Sequence, residues 1–206
     1  MIHHRKQNRM RGFDYTYDRM YFITSCVEHR ACVFLDIVPI DKLTTVKSTY
    51  SQYTATHRMV LIPCGSIADQ QWYWLEQQYP YIHIHAFIVM PNHVHGIIEI
   101  NQKLIPIADS FACHVGTGRD LSLHDRPTPV QPIKIKSLSE LIGAYKTTSS
   151  KQIHLWEAPD GTHPYHAFHW QRSFHDHIIR NQKEYDEITA YIHKNPSAWD
   201  TDLFYK

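Results

Sequence analysis

Seventeen of the 206 residues are histidine. At that frequency chance alone yields roughly one or two His-x-His triplets, so the triplet by itself says little. Three occur: His83-Ile84-His85, His93-Val94-His95 and His175-Asp176-His177. Alternate residues of a β-strand point the same way, about 7 Å apart along it, so two imidazoles spaced this way can converge on one ion. Neutral imidazole suits many divalent metals, and a mixed nitrogen and oxygen site with open positions suits phosphate chemistry. The competing reading is a pair of histidines exposed on a strand face. Spacing does not choose between His83/His85 and His93/His95.

Tyrosine is the second residue type of interest. Tyr191 lies in Glu187-Ile188-Thr189-Ala190-Tyr191-Ile192-His193-Lys194-Asn195-Pro196. On a helix it shares a face with Asn195, four residues on, whose carboxamide oxygen is a candidate metal ligand. His193 points away from that face. A phenol with a pKa near 10 is protonated at neutral pH, so its attack on phosphorus requires a polarised phosphate or a nearby cation. The alternative makes Tyr191 an amphipathic core residue and Asn195 the end of a helix. Tyr145 is a rival nucleophile by type.

These side chains need elements to carry them. Met20–Val27 is rich in β-branched and aromatic residues and reads as a strand. Residues 38–58 are polar with scattered aromatics and are assigned a helix. Residues 66–78 read as a helix with Ser66 as N-cap, stopping at Pro80. Tyr81–Met90 and His93–Ile100 form two strands joined at Pro91-Asn92. Alternation puts His93, His95, Ile97 and Glu99 on one face of the second strand. Residues 102–135 read as a loop. Ser137-Leu138-Ser139-Glu140 matches a capping box and opens a helix to about Ile153. Phe168–Phe174 is a predicted strand, and a last helix runs from Gln182 to Lys194, with Asn181 as cap and Pro196 after its end. This succession predicts an α+β fold, an antiparallel sheet with helices packed on it.

Composition narrows the classes. Hydrophobic residues make up 43% and charged residues 20%, enough apolar content for a core in a soluble domain. No apolar run approaches the roughly 20 residues that span a bilayer, and the basic start lacks the apolar stretch of a secretory signal. Cys26, Cys32, Cys64 and Cys113 form no CxxC pair, which favours a reducing cytoplasm. The net charge of +1 does not announce a nucleic-acid binder. Yet Arg5, Lys6, Arg9 and Arg11 crowd together without an acid among them, a candidate phosphate-binding arm against the alternative of a solvated terminus. The reading is one domain over 1–206, with a basic arm at 1–15 and a variable loop at 102–135.

Met90-Pro91-Asn92-His93-Val94-His95-Gly96-Ile97-Ile98 resembles the HUH signature of REP-associated tyrosine transposases and their insertion-sequence relatives. Arg9–Tyr15 followed by Tyr21-Phe22-Ile23-Thr24 resembles that family's N-terminal segment and first strand. Trp170–Asn181 resembles the segment before its last helix, and Tyr191-Ile192 with Asn195-Pro196 resembles the helix that carries its nucleophile. The four blocks fall in the same order over about 190 residues. The resemblance implies a ferredoxin-like or RRM-like HUH fold and selects His93 and His95 as metal ligands over His83 and His85. It gives His175 and His177 a structural or DNA-contacting role. It also places the helix of Tyr145 in a packing and DNA-contact region. Asn195 stands where some relatives have Gln.

The implied activity is cleavage and rejoining of single-stranded DNA near an imperfect hairpin, with Mg²⁺ or Mn²⁺ as cofactor and Tyr191 forming a 5′-phosphotyrosine. Arg5, Lys6, Arg9, Arg11, Lys146, Lys151 and Arg172 are the candidate DNA-binding residues. Expected partners are single-stranded or hairpin DNA and no membrane, in a monomer or homodimer at the cytoplasmic nucleoid. Two other classes compete. One is a non-catalytic hairpin-binding module derived from a transposase, which would bind DNA without His93 and His95. The other is a zinc hydrolase, which lacks a coherent third ligand and an obvious general base.

Overall fold

The computed structural model of the chain describes residues 12–39, 51–53, 57–106 and 133–201. The arm residues Arg5, Lys6, Arg9 and Arg11, and most of the 102–135 loop, lie outside the described residues. The main sheet has four strands, β1 (Arg19–Cys26), β5 (Ile82–Met90), β6 (His93–Ile100) and β7 (His175–Ile179), in the order β5-β6-β1-β7. All its pairings are antiparallel. With helices α1 (Pro63–Gln78) and α2 (Leu138–Leu155) this is a doubled split β-α-β arrangement, the ferredoxin-like topology. Helix α3 (Gln182–Lys194) follows β7. No helix among the described residues is long and apolar enough to cross a membrane.

Alternation sorts β6 between two layers. α1 and α2 pack against each other on one face: Trp72 of α1 meets Tyr145 of α2 at 5.0 Å between ring centroids. Trp72 also stacks on Phe87 at 4.7 Å, directly over Gly96. A Cβ built at Gly96 would stand 2.5 Å from the Trp72 ring, so glycine is required for this approach of helix to sheet. α3 lies on the opposite face, over β5 and β6.

Local signals fix the helix ends. Ser137 and Glu140 form the predicted reciprocal capping box of α2, and Asn181 caps α3 by accepting the Glu184 N–H at 2.9 Å. α1 starts earlier than expected: Ile62 is its cap residue and Pro63 its first residue, so Ser66 sits inside the helix. Its Glu76 takes the N–H of Ile84 at 3.1 Å and pairs with His83 at 2.6 Å, covering the rim of edge strand β5.

Two assignments are corrected. Part of 38–58, read as helical, is extended: β2 (Leu35–Pro39), β3 (Ser51–Tyr53) and β4 (His57–Leu61) form a second, three-stranded sheet. Phe168–Phe174 is not a strand. Its Phe168, Trp170 and Phe174 are buried, but only Trp170 makes a bridge, to Val27, and the strand is the more polar His175–Ile179. Aromatic content there reported burial, not extended pairing.

Candidate active site

One turn of backbone holds the centre of the site. The Pro91-Asn92 connection between β5 and β6 is an acceptor hub: Pro91 O takes the N–H groups of Val33 and Phe34, and Asn92 O takes that of Val27. From this turn β6 runs between β5 and β1, and its alternation sends His93 and His95 to the α3 face. They are 0% and 1% exposed.

The imidazoles are held from behind. Asn92 Oδ1 lies 2.8 Å from His93 Nδ1, while the Asn92 amide nitrogen donates to Arg30 O at 3.2 Å. That second bond fixes the amide orientation, so Oδ1 accepts and His93 carries its proton on Nδ1. Thr24, directly across from His95 in the β1–β6 register, places Oγ1 2.8 Å from His95 Nδ1. Phe22 stacks on the His95 ring at 5.4 Å, and Trp199 lies 6.0 Å from that of His93. Held this way, the two Nε2 atoms face each other at 3.0 Å.

Burial controls their charge. It pulls the His93 pKa down to about 2, with help from the neighbouring His95 and Arg30 charges, and that of His95 down to about 3. Both rings are neutral at physiological pH and offer lone pairs, as metal ligation requires. Without a cation, one orientation satisfies every group: Thr24 donates to His95 Nδ1, His95 Nε2–H donates to His93 Nε2, and His93 Nδ1–H donates to Asn92.

The donor set fits a divalent cation. Two nitrogens about 2.1 Å from one ion and at right angles lie about 3.0 Å apart, the separation seen here. Asn195 at the end of α3 is 3% exposed, and its Oδ1 is buried without a hydrogen-bond partner among the described residues. Such an orphaned oxygen costs about 1–3 kcal/mol. No cluster of three or more His, Cys, Asp or Glu side chains with metal-binding geometry exists among the described residues. A cation here would depend on two imidazoles and neutral oxygens, leaving positions for a phosphate.

Tyr191 comes from the other layer. Tyr185, Ile188 and Ile192 form the stripe that packs α3 on the sheet, and only Ile192 of the helix is fully buried. Tyr191 flanks this stripe at 44% exposure, with its hydroxyl 3.3 Å from His95 Nε2 and its ring edge-on to Phe22 at 6.0 Å. Its phenol therefore meets both solvent and the histidine pair. Tyr145 is different: it is 0% exposed, its hydroxyl donates to Ala68 O at 3.2 Å, and burial raises its pKa well above the ordinary phenol value. It is a core residue on the far side of the sheet.

The remaining predicted residues sit apart from this centre. Lys146, Lys151 and Arg172 line one groove with His154 and His169, between α2 and the segment before β7. Lys146 Nζ donates to Gln171 O and Ser173 O, both at 2.9 Å, so its charge clamps that segment. His175 and His177 are exposed on edge strand β7, opposite Thr24 and Phe22. Sequence reasoning missed Thr24 and Phe22, because register across some 70 residues has no local signature, and it read the neighbouring Asn92 only as part of a turn. It also missed Arg30, which like His29 has a φ of 55°, a left-handed conformation unusual for such side chains.

No family model matches the chain. An uncharacterised protein of Haemophilus influenzae (strain Rd) is 29% identical over 204 residues, covering 99% of this chain and 94% of that protein. Among solved structures, the chain is similar to a REP-associated tyrosine transposase bound to a REP hairpin. That likeness has a TM-score of 0.45 and 16% identity, over 91% of this chain and 72% of the other. It is also similar to a proposed transposase from Deinococcus radiodurans R1, with a TM-score of 0.36 and 14% identity, over 90% and 95% of the two chains.

Proposed function

We propose that this protein is a tyrosine transposase of the HUH type, which cuts and rejoins single-stranded DNA at sites beside a hairpin. One relation carries the reading: the half-exposed phenol of Tyr191 stands 3.3 Å from an imidazole of a buried pair whose inner nitrogens face each other. A nucleophile beside a neutral two-nitrogen donor set, open to solvent, is the arrangement that phosphoryl transfer from a phosphodiester needs.

His93 and His95, with Asn195 supplying an oxygen, would hold Mg²⁺ or Mn²⁺. The ion, when bound, withdraws charge from the scissile phosphate. Tyr191 forms the new bond from its oxygen to phosphorus as the bond from phosphorus to the 3′-oxygen breaks. The phenolic proton is given up to solvent and the leaving oxygen takes a proton, so the products are a 3′-hydroxyl and a 5′-phosphotyrosine. Attack by another 3′-hydroxyl reverses these events and reseals the strand without ATP, because one phosphodiester replaces another. Phe22 and Thr24 keep His95 in place, and Asn92 does the same for His93. Lys151 and Arg172 in their groove, Lys146 beside them, and the arm residues Arg5, Lys6, Arg9 and Arg11 would bind phosphates of the folded strand.

Incubation with end-labelled hairpin DNA and Mn²⁺ tests the proposal. The expected result is a covalent protein–DNA adduct in the wild type and none with Tyr191→Phe. Salt-sensitive hairpin binding without adduct, undiminished by His93→Ala and His95→Ala, would instead identify a binding module.

A further inference from the structure

Strand β5 carries one residue too many opposite β6. Its register against β6 shifts between Ile84 and Ala86, so His85 is the extra residue of a β-bulge. His85 lies on the α3 face of the sheet, beneath the first half of that helix. His85 Nε2 lies 2.8 Å from Glu99 Oε2, and His85 Nδ1 lies 3.3 Å from the hydroxyl of Tyr185. Glu99 Oε1 in turn accepts from the Asn101 amide at 3.2 Å. A carboxylate only accepts, so His85 bears a proton on Nε2, and in the neutral ring its Nδ1 lone pair receives the Tyr185 O–H.

We infer that the Glu99–His85–Tyr185 chain is the positioning device for the nucleophile: it pins the first half of α3 to the sheet and thereby sets the reach of Tyr191 towards His95. This rests on the transposase reading for its catalytic consequence, though not for the docking itself. α3 has a single fully buried residue, Ile192, near its C-terminal end. Apolar packing therefore fixes that end well and the other end poorly. Tyr185, six residues before Tyr191 and so about 9 Å along the axis, is where a directional bond resists rotation and tilt of the helix. Both tyrosines meet a histidine of the sheet, one for register and one at the reacting centre.

Chain direction gives the test its controls. Tyr185→Phe keeps the ring and removes the bond. Glu99→Leu leaves His85 without the partner that orients it. Glu99→Gln preserves the chain in reverse, since its amide donates to His85 Nε2 and His85 Nδ1–H then donates to the Tyr185 oxygen. Hydrogen exchange on the metal-free protein should show about tenfold faster exchange in α3 for Tyr185→Phe and Glu99→Leu, unchanged exchange in β5 and β6, and near wild-type behaviour for Glu99→Gln. With ring-labelled tyrosine, the Tyr191 resonance, assigned through Tyr191→Phe, should shift in the first two variants only. At saturating hairpin DNA and Mn²⁺ those variants should form adduct ten- to a hundredfold more slowly, as ångström-scale misplacement predicts, with DNA affinity within about twofold of wild type. Unaltered α3 exchange and an unmoved Tyr191 resonance in Tyr185→Phe would overturn the docking role. Altered exchange with an unchanged adduct rate would overturn the positioning role. Absence of adduct from the wild type would refute the transposase reading and the catalytic consequence, while exchange and resonance would still decide whether the chain docks the helix.

Discussion

Thr24 and His95 face each other across β1 and β6, and their side chains meet at 2.8 Å. A hydroxyl is the one small group that serves His95 in both of its neutral forms. It donates to Nδ1 when His95 Nε2–H points at His93, and accepts from Nδ1–H when Nε2 must offer a lone pair to a cation. Metal uptake at this centre would thus ask for a hydroxyl rotation and a tautomer change. Thr24→Val, which fills the same space, should weaken Mn²⁺ binding about 10- to 100-fold, and Thr24→Ser should retain it. Titration calorimetry of the two variants checks this.

The pH response separates the site from an ordinary histidine pair. Exposed imidazoles lose metal as they protonate near pH 6.5. Here His93 and His95 stay neutral in the folded chain until about pH 2 and about pH 3, so Mn²⁺ affinity should be nearly level from pH 8 to pH 5.5.

Fold stability, unlike that affinity, should fall on acidification. In the unfolded chain these histidines bind protons near pH 6.5, while the folded state refuses them, so stability falls as pH drops from 6.5 towards 3. The loss is at most about 1.4 kcal/mol per pH unit for each ring. Urea unfolding of the metal-free protein should show this slope, flattened in a variant carrying His93→Gln and His95→Gln. An equal slope in that variant would assign the loss to other groups.

Asn195 offers a test with opposite signs. Replacing its orphaned oxygen with a hydrocarbon of similar shape, Asn195→Leu, should stabilise the metal-free protein by about 1 kcal/mol and lower Mn²⁺ affinity. Thermal unfolding with and without Mn²⁺ reads both. A stability loss in the absence of metal would show that the oxygen already has a partner.

Tyr145 and Gly96 probe the opposite layer. Tyr145→Phe deletes a buried hydrogen bond and should cost about 1 kcal/mol of stability with adduct formation intact. Gly96→Ala drives a methyl into the Trp72 ring and should cost about 1–3 kcal/mol, measured by urea unfolding. Because Gly96 adjoins His95, added Mn²⁺ should recover part of that loss.

Elements with local signals were legible in the sequence. The Ser137/Glu140 box, the Asn181 cap and the β-branched, histidine-spaced run of β6 each state their structure within a few residues. The second sheet was not legible, since Leu35–Leu61 shows neither a clear alternation nor a marked turn. β7 was misplaced because an edge strand with exposed His175 and His177 resembles a loop, whereas the buried aromatics just before it resemble a strand. Alternation also gave His83 and His85 the same role. Their rings stay in edge contact at 4.7 Å, yet His83 turns to Glu76 at the rim and His85 to Glu99 and Tyr185 under α3. Those partners sit on other elements, which no local window contains.

Glu76 has a consequence for how copies of this molecule can meet. By occupying the outward N–H of Ile84 and the ring of His83, it plugs one flank of the main sheet against any incoming ribbon. The other flank ends at the five residues of β7. Among the described residues, growth of the sheet by a neighbour's backbone would therefore have to come at β7, where His175 and His177 stand exposed.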